Sequence, residues 1–438
     1  MAEQIKSINN MNTKSETFCI LPWMHINVGL PDVYRPCCNT GKAYRNNNNK
    51  EITINDYSFK EAFNGPEIKL LREQLNNGER PSICDVCWKK EDAGISSERE
   101  FFNGAYTTSW FEEQADGITL TGSRTPNYSK LTKPTLKFLD MEFDNICNLQ
   151  CRMCSQHSSD QIWKTFDLLT ERGLPIPTSL QNHDRSNQYK YKPEEKKQYA
   201  KEMIAEGIDT FKVTGGEPML SKDFLEIIDF CVDNGFAEDM ILRITSNGTK
   251  FSKTILDKLK AFKLVRLTIS VDGTGNTYEY IRYPFTWKQI DKRLKEIMSH
   301  PWIRTEYSCV VQAYNWLNIH ELINYVSTNG NTSYNYINFD FKMNPLGSEF
   351  SPEYLPDWIL DEGLDRIQKV ALKNKAFDQI VDFENFVEHS KQNRLPDNQL
   401  ERKWDLLYET TINYDIVRNQ SYKTLDPLFV QWLKTLKI

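Results

Sequence analysis

No stretch of this 438-residue chain stays apolar for long enough to cross a bilayer. Its first residues, Met1 to Glu16, are polar, rich in Asn and Ser, and lack the apolar core that a secretion signal needs. Neither sign of charge dominates, with 54 Lys and Arg against 60 Asp and Glu. The formal net charge is −6 and the pI is near 5.7, which argues against a general grip on nucleic acid, because such a grip depends on neutralising phosphates. The basic runs Lys192–Lys201 and Lys253–Lys263 are interleaved with acids and read as solvated helix faces. These absences make the cytoplasm the expected location, with no membrane partner. Outside an oxidising compartment, metal or cluster ligation accounts for the ten cysteines better than disulfides do. What remains, 39% hydrophobic and 26% charged, is ordinary for a globular chain and leaves enough apolar material for two domains or one large barrel with an attachment.

A fourth cysteine is missing beside Cys147-Asn148-Leu149-Gln150-Cys151-Arg152-Met153-Cys154. Three thiolates at this spacing can hold a cubane iron–sulfur cluster while leaving its fourth iron without a protein ligand. An iron with an open position can bind and activate a small molecule, so the loop reads as a reaction site. Two plainer readings compete. Positions i, i+4 and i+7 share a helix face and could pack as core, and zinc could bind, although a closed structural zinc site wants four protein ligands.

A second group of cysteines lies upstream in three clumps: Cys19-Ile20-Leu21-Pro22-Trp23, Pro36-Cys37-Cys38 and Cys84-Asp85-Val86-Cys87. Clumps this far apart come together when a small domain folds around a metal. Four thiolates suit zinc and an iron–sulfur cluster equally. Cys19, Cys37, Cys84 and Cys87 are the expected ligands, with Cys37 preferred to Cys38. A lone histidine such as His25 is more often structural than a ligand.

From Pro134 the chain alternates strand and helix. Strands are expected at Leu136–Phe143, Ile208–Thr214, Met240–Thr245, Leu264–Val271, Arg304–Gln312 and Tyr336–Lys342. Ser221 caps a helix whose apolar face is Phe224, Leu225, Ile228, Cys231 and Val232, closed by Gly235, so Cys231 reads as core, as does Cys309. Repeated β–α units imply a parallel sheet with right-handed crossovers. The expected division is a cysteine-rich domain over 1–132, a barrel over 133–345 and a helical extension over 346–438. Gly117 to Pro134 reads as a linker, and Thr170 to Lys192 as either a lid or a flexible insertion. The extension is expected to cover the barrel's open side, its aromatics serving as core.

The three-cysteine loop resembles the CxxxCxxC signature of the radical S-adenosylmethionine (radical SAM) superfamily. Gly215-Gly216-Glu217-Pro218, Ser246-Asn247-Gly248 and Ser270-Val271-Asp272-Gly273 follow it in the order that family shows. The usual aromatic before the third cysteine is here Met153, apolar and polarizable enough to cover a cluster. The resemblance implies an α/β fold with a partial (β/α)6 barrel. It also implies a [4Fe–4S] cluster on Cys147, Cys151 and Cys154, and S-adenosylmethionine held near Gly215, Gly216, Glu217, Pro218, Ser246, Asn247, Ser270 and Asp272. In that reading the Gly-Gly-Glu loop receives the methionine amino group, the short polar residues meet ribose hydroxyls, and Val310-Val311-Gln312 with Asn315 is a further element near the cofactor.

The upstream clumps are similar to those of SPASM and twitch domains, which hold auxiliary [4Fe–4S] clusters, although those domains usually follow the barrel. The implied chemistry is reductive cleavage of S-adenosylmethionine, then hydrogen abstraction from a substrate by a 5′-deoxyadenosyl radical. A reductant such as flavodoxin or ferredoxin would supply the electron. A peptide or protein substrate is the first expectation. A sugar, an aminocyclitol or RNA is the alternative, and a non-catalytic zinc-stabilised binding module is the competitor from another class. No residue stands out as a catalytic acid or base.

Overall fold

The computed structural model describes residues 16–104, 134–177, 193–329, 337–341, 349–374 and 379–436. The proposed linker, apart from Pro134, and residues 178–192 of the proposed insertion lie outside them. Eight strands form one mixed sheet: β1 (His25–Gly29), β2 (Val33–Arg35), β3 (Phe138–Glu142), β4 (Thr210–Thr214), β5 (Ile241–Ser246), β6 (Leu264–Ser270), β7 (Ile303–Val311) and β8 (Ile337–Phe341). Their order is β2-β1-β3-β4-β5-β6-β7-β8. The six expected strands are all present, each within two residues of its expected ends. The sheet nevertheless has two strands more than the expected six. β1 was missed because its alternation places His25 and Asn27 where solvent should be, yet all five of its residues are buried.

The chain divides into two compact units, residues 1–141 with 191–211, and residues 142–190 with 212–438. In the first, β1 pairs antiparallel with β2, Val28 opposite Tyr34, and parallel with β3, Asn27 opposite Asp140. His25 packs edge-on against Phe138 at 4.6 Å and its Nε2 faces the buried Asp140 carboxylate at 3.5 Å. His25 is not among the residues that line the pocket shared by the upstream cysteines. The helix Pro66–Asn76 turns Ile68, Leu71 and Leu75 inward, and the helix Asp85–Asp92 buries Cys87 and Trp88.

In the second unit β5 to β8 are successive parallel neighbours, with Ile244 opposite Leu267, Leu267 opposite Thr305 and Cys309 opposite Phe339. Helices between the strands supply the crossovers. Ser221 caps the helix Lys222–Asp233 through the Phe224 N–H, and that helix buries Phe224, Ile227, Ile228 and Cys231. Cys231 and Cys309 are both core. Beyond β8 come the helices Asp357–Asn374, Ile380–Gln392, Asp397–Arg418 and Pro427–Thr435. Phe429, Val430, Trp432 and Leu433 are core, whereas Trp358 is exposed beside buried Ile359 and Leu360. No described helix is long and apolar enough to cross a membrane.

Trp316, fully buried, lies across the helix Asp357–Asn374 and donates its indole N–H to the Ile359 carbonyl at 3.0 Å. Gly363 makes room for the ring, because a Cβ there would stand 2.1 Å from Nε1. Alanine gains about 1 kcal/mol of helix propensity over glycine, but overpacking a core typically costs about 1–3 kcal/mol. Gly363→Ala is therefore expected to destabilise the chain in urea denaturation, and a higher midpoint would refute this packing account.

Candidate active site

Between Glu142 and Ile162 the backbone forms neither helix nor strand, so the three-cysteine loop takes its shape from neighbours. Four of its supports are backbone, two of them from the Gly215-Gly216-Glu217 turn. Gly216 N donates to the Asp144 carbonyl at 3.0 Å and Glu217 N to the Ile146 carbonyl at 2.7 Å. A Cβ on Gly216 would fall 2.2 Å from the Ile146 carbonyl oxygen. One on Gly215, whose φ is +113°, would fall 2.7 Å from the Asp144 carbonyl oxygen. The close approach these glycines permit is to the cysteine loop itself, which the sequence alone did not indicate.

Side chains supply further supports. Asp160 accepts the Cys147 N–H at 2.9 Å, Ser159 Oγ donates to the Leu149 carbonyl at 2.6 Å, and Asn145 Nδ2 donates to the Gln156 carbonyl at 2.7 Å. From the neighbouring segment, Gln150 N donates to the Tyr283 carbonyl and Arg152 N to the Ile281 carbonyl.

The other expected site residues converge on this loop, but their polar atoms are largely occupied within the protein. Glu217 is fully buried. Its Oε1 accepts from Ser246 Oγ at 2.7 Å and Met219 N at 3.2 Å, and its Oε2 accepts from Asn247 N at 2.7 Å. The carboxylate thus ties the loop after β4 to the loop after β5. Asn247 Nδ2 reaches Asn148 Oδ1 at 2.9 Å and Cys147 Sγ at 3.7 Å. Asp272, fully buried, accepts from Val310 N at 2.8 Å and faces Arg282 Nε at 2.7 Å. Its carbonyl accepts from Asn315 Nδ2 at 3.0 Å, and Asn315 Oδ1 in turn accepts the Gln312 N–H. Pro218 opens a buried turn over Pro218–Leu220, and Ser270 ends β6 half-buried.

Sequence reasoning missed the arginines. Arg282 Nη1 approaches Cys151 Sγ at 3.9 Å. Burial lowers the pKa of Arg282, but Asp272 and the nearby thiols more than offset this and hold it firmly cationic. Arg152, within the signature, is fully buried with its guanidinium 3.6 Å from the centre of the Tyr280 ring. It donates to Asp415 at 2.5 Å and to Gln420 at 3.1 Å, fastening the loop to the end of the helix Asp397–Arg418. Arginine inside a cysteine signature was a usable signal; Asp415, an ordinary helix residue, gave none.

Burial and the neighbouring Cys151 push the Cys147 thiol up to about 12. Cys151 and Cys154 share a hydrogen bond that raises the first and lowers the second, with Arg282 lowering both. Among the described residues no three His, Cys, Asp or Glu side chains converge on a single ion-sized point. The two cysteine groups are therefore characterised by what surrounds their sulfurs.

The upstream cysteines, in the first unit, share one pocket. Cys19, Cys37, Cys84 and Cys87 line it together with Leu21, Pro36, Trp88 and Arg99, and Cys38 is not among its lining residues. Arg99 gathers two of the clumps: it donates to the Phe18 carbonyl at 2.8 Å and to Glu91 at 2.7 Å, with its guanidinium 5.2 Å from the Trp88 ring. Thr40 Oγ1 draws in the clump holding Cys37 by donating to the Ile83 carbonyl. Burial, and after it neighbouring thiols and acids, raise all four thiols, Cys87 to about 11 and Cys84 to about 12.

Glu217 yields a pH test. Burial raises its carboxyl from 4.5 to about 7, against its three hydrogen bonds. A carboxyl whose folded pKa exceeds its unfolded one binds more protons when folded, so its contribution weakens as pH rises through that window and is constant outside it. Relative to Glu217→Gln, the parent is expected to lose about 3 kcal/mol of stability between about pH 4.5 and 7. Parallel denaturation profiles for the two proteins would contradict this.

Part of this chain is similar to known proteins. The Radical SAM superfamily model matches residues 141–325. The GTP 3′,8-cyclase of Aquifex aeolicus is 32% identical over 142 residues, 32% of this chain and 37% of that protein. The sporulation killing factor maturation protein SkfB of Bacillus subtilis is 22% identical over 213 residues, 49% of this chain and 43% of that protein. The chain thus spans less than half the length of these curated relatives. SuiB of Streptococcus suis, solved with its precursor peptide SuiA, aligns at a TM-score of 0.36 and 12% identity, covering 75% of this chain and 66% of that one. The segment that matches the Radical SAM superfamily model, residues 141–325, holds the three cysteines and the loops after β4, β5 and β6 that converge on them.

Proposed function

We propose that this protein is a radical SAM enzyme built on a partial (β/α)6 barrel. Cys147, Cys151 and Cys154 would hold a [4Fe–4S] cluster, and the protein would reductively cleave S-adenosylmethionine and abstract hydrogen from a substrate. The observation that carries this reading is the set of donors around the loop's sulfurs. Cys147 Sγ receives Leu149 N at 3.5 Å and Asn247 Nδ2 at 3.7 Å, and Cys151 Sγ receives Arg282 Nη1 at 3.9 Å. Donors and a guanidinium aimed at sulfur favour thiolate over thiol, and buried thiols with raised pKa values require such compensation before they can ligate. The donor set therefore fits the cluster.

Bound there, the cluster would supply one electron to the sulfonium of S-adenosylmethionine and so generate the 5′-deoxyadenosyl radical. The chain's own residues fix the geometry in which that happens. Gly216 and Glu217 hold the cysteine loop by its backbone, Asp160 orients Cys147, and Asp272 orients Arg282 toward Cys151. Glu217 has one lone-pair direction beyond its three protein donors, which suits the methionine ammonium. Ser270 and the loop after β5 stand at strand ends where parallel α/β folds gather ligands.

Cys19, Cys37, Cys84 and Cys87 are the ligands in this reading of a second, auxiliary [4Fe–4S] cluster in a SPASM- or twitch-like domain. Support comes from their common pocket, which Cys38 does not line. A flavodoxin or ferredoxin would be the reductant. The substrate is taken to be a peptide or protein, as the name of the Bacillus subtilis maturation protein suggests for a relative that matches half of this chain. The cyclase relatives favour a second reading, a small-molecule substrate.

Anaerobically reconstituted protein is expected to hold about eight irons per chain and to form 5′-deoxyadenosine with dithionite and S-adenosylmethionine. Changing Cys147, Cys151 and Cys154 together to Ala should remove half the iron and all of the product. Zinc in place of iron, with no product, would leave only the zinc-stabilised binding module. Within the upstream group, Cys37→Ala should lose the second cluster and Cys38→Ala should keep it; the reverse result would reassign the ligand.

A further inference from the structure

Three arginines lie buried around the cysteine loop, and two have carboxylate partners: Arg282 has Asp272 and Arg152 has Asp415. The third, Arg418, is 4% exposed at the end of the helix Asp397–Arg418, and among the described residues it pairs with no carboxylate. Its Nε and Nη2 donate to Thr165 Oγ1 at 3.2 and 3.1 Å. The Thr165 hydroxyl donates onward to Gln150 Oε1 at 2.7 Å, and Gln150 immediately precedes Cys151. The guanidinium also lies 4.4 Å from the centre of the Tyr414 ring and 5.7 Å from that of Tyr283, whose carbonyl receives the Gln150 N–H. Its Nη1 is buried without a partner.

A buried cation without a counter-ion is costly. Phenolic faces and a hydroxyl offset only some of that cost, and Arg152 nearby is of like charge. The missing negative charge fits the neighbouring loop. Three thiolates outweigh the charge of an oxidised [4Fe–4S] core by one, and of a reduced core by two. A fixed cation beside them stabilises the reduced form more than the oxidised one.

We infer that Arg418 is a positioning residue that raises the reduction potential of the three-cysteine cluster, with Asp415 acting in the opposite direction by neutralising Arg152. The inference rests on the proposed cluster at Cys147, Cys151 and Cys154. It gives the helix Asp397–Arg418 an electrical role in the electron-transfer step.

The test is an anaerobic reductive titration of the reconstituted full chain with a titanium(III) reductant, followed by electron paramagnetic resonance. The signal that changes shape when S-adenosylmethionine is added reports the three-cysteine site. Arg418→Gln, which keeps donors and loses the charge, should make reduction about tenfold less favourable, a shift of about 59 mV to lower potential for a one-electron couple. Arg418→Lys should stay near the parent, and Asp415→Asn should shift to higher potential. An iron-replete Arg418→Gln protein with the parent's potential would overturn the inference. If Arg418→Gln fails to load iron, Arg418→Lys and Asp415→Asn decide: unchanged potential in the first with an upward shift in the second supports the inference, and any other pair of results overturns it. A parent protein without any such signal would instead defeat the cluster reading itself, whatever the variants do.

Discussion

A stretch of about twenty residues between β3 and the next helix has no regular backbone pairing of its own, yet most of it is partly or wholly buried and it carries the chain's densest chemistry. Buried N–H and C=O groups must be paired, so the surrounding structure is organised to pair them. The Gly215-Gly216-Glu217 turn supplies two hydrogen bonds, and the carbonyls of Ile281 and Tyr283 accept two more. Asp160 and Ser159 reach back from just downstream. Removing a buried support, such as Ser159 on the Leu149 carbonyl, would leave a polar group unmatched, at about 1–3 kcal/mol. The loop's shape is thus a property of several distant segments and cannot be local in origin.

The same requirement explains why the motif residues face one another. A carboxylate such as Glu217, carrying a Ser hydroxyl and two backbone N–H groups, is a strut between two strand ends. Asp272 is the corresponding strut at the end of β6, joining β6, β7 and Arg282. Short polar residues at strand ends suit ligand binding, and they equally suit building the frame in which a ligand sits. The two roles use the same residue types, so their placement in the sequence marks the site without assigning each side chain its partner.

The fold was legible where the pattern was strong. The six strands from Pro134 onward announced themselves as apolar runs, the first four of them ending at Asp144, Gly215, Ser246 and Asp272, and the cap at Ser221 by the helix it opens. β1 was not legible, because its alternation of His25 and Asn27 with Ile26 and Val28 is short and suggests one solvated face, whereas the fold buries both. The four-cysteine pocket was legible as a set of clumps, since cysteines cluster in sequence only for a reason. What draws the clumps together, Arg99 bridging Phe18 and Glu91, depends on side chains common on any surface. Arg152 and Arg282 were visible only as charges, and their burial became evident with the tertiary structure.

The C-terminal helices show how far an apparently featureless segment can be tied to the chemistry. Ile162, Phe166 and Leu169 of the helix following the cysteine loop pack with Tyr414 and Val417, and Cys154 lies against this cluster. Apolar packing sets the distance between the two helices. Arg152 reaches from the cysteine loop to the helix Asp397–Arg418, and Arg418 reaches from that helix to Thr165 on the helix Ile162–Glu171. Such exchanged charges fix the register of two elements more tightly than apolar contact alone, because a buried guanidinium displaced from its partners loses hydrogen bonds that nothing nearby replaces. A segment without a single cysteine, far from the signature in sequence, thereby helps to determine both where the three sulfurs stand and the electrical field in which they stand.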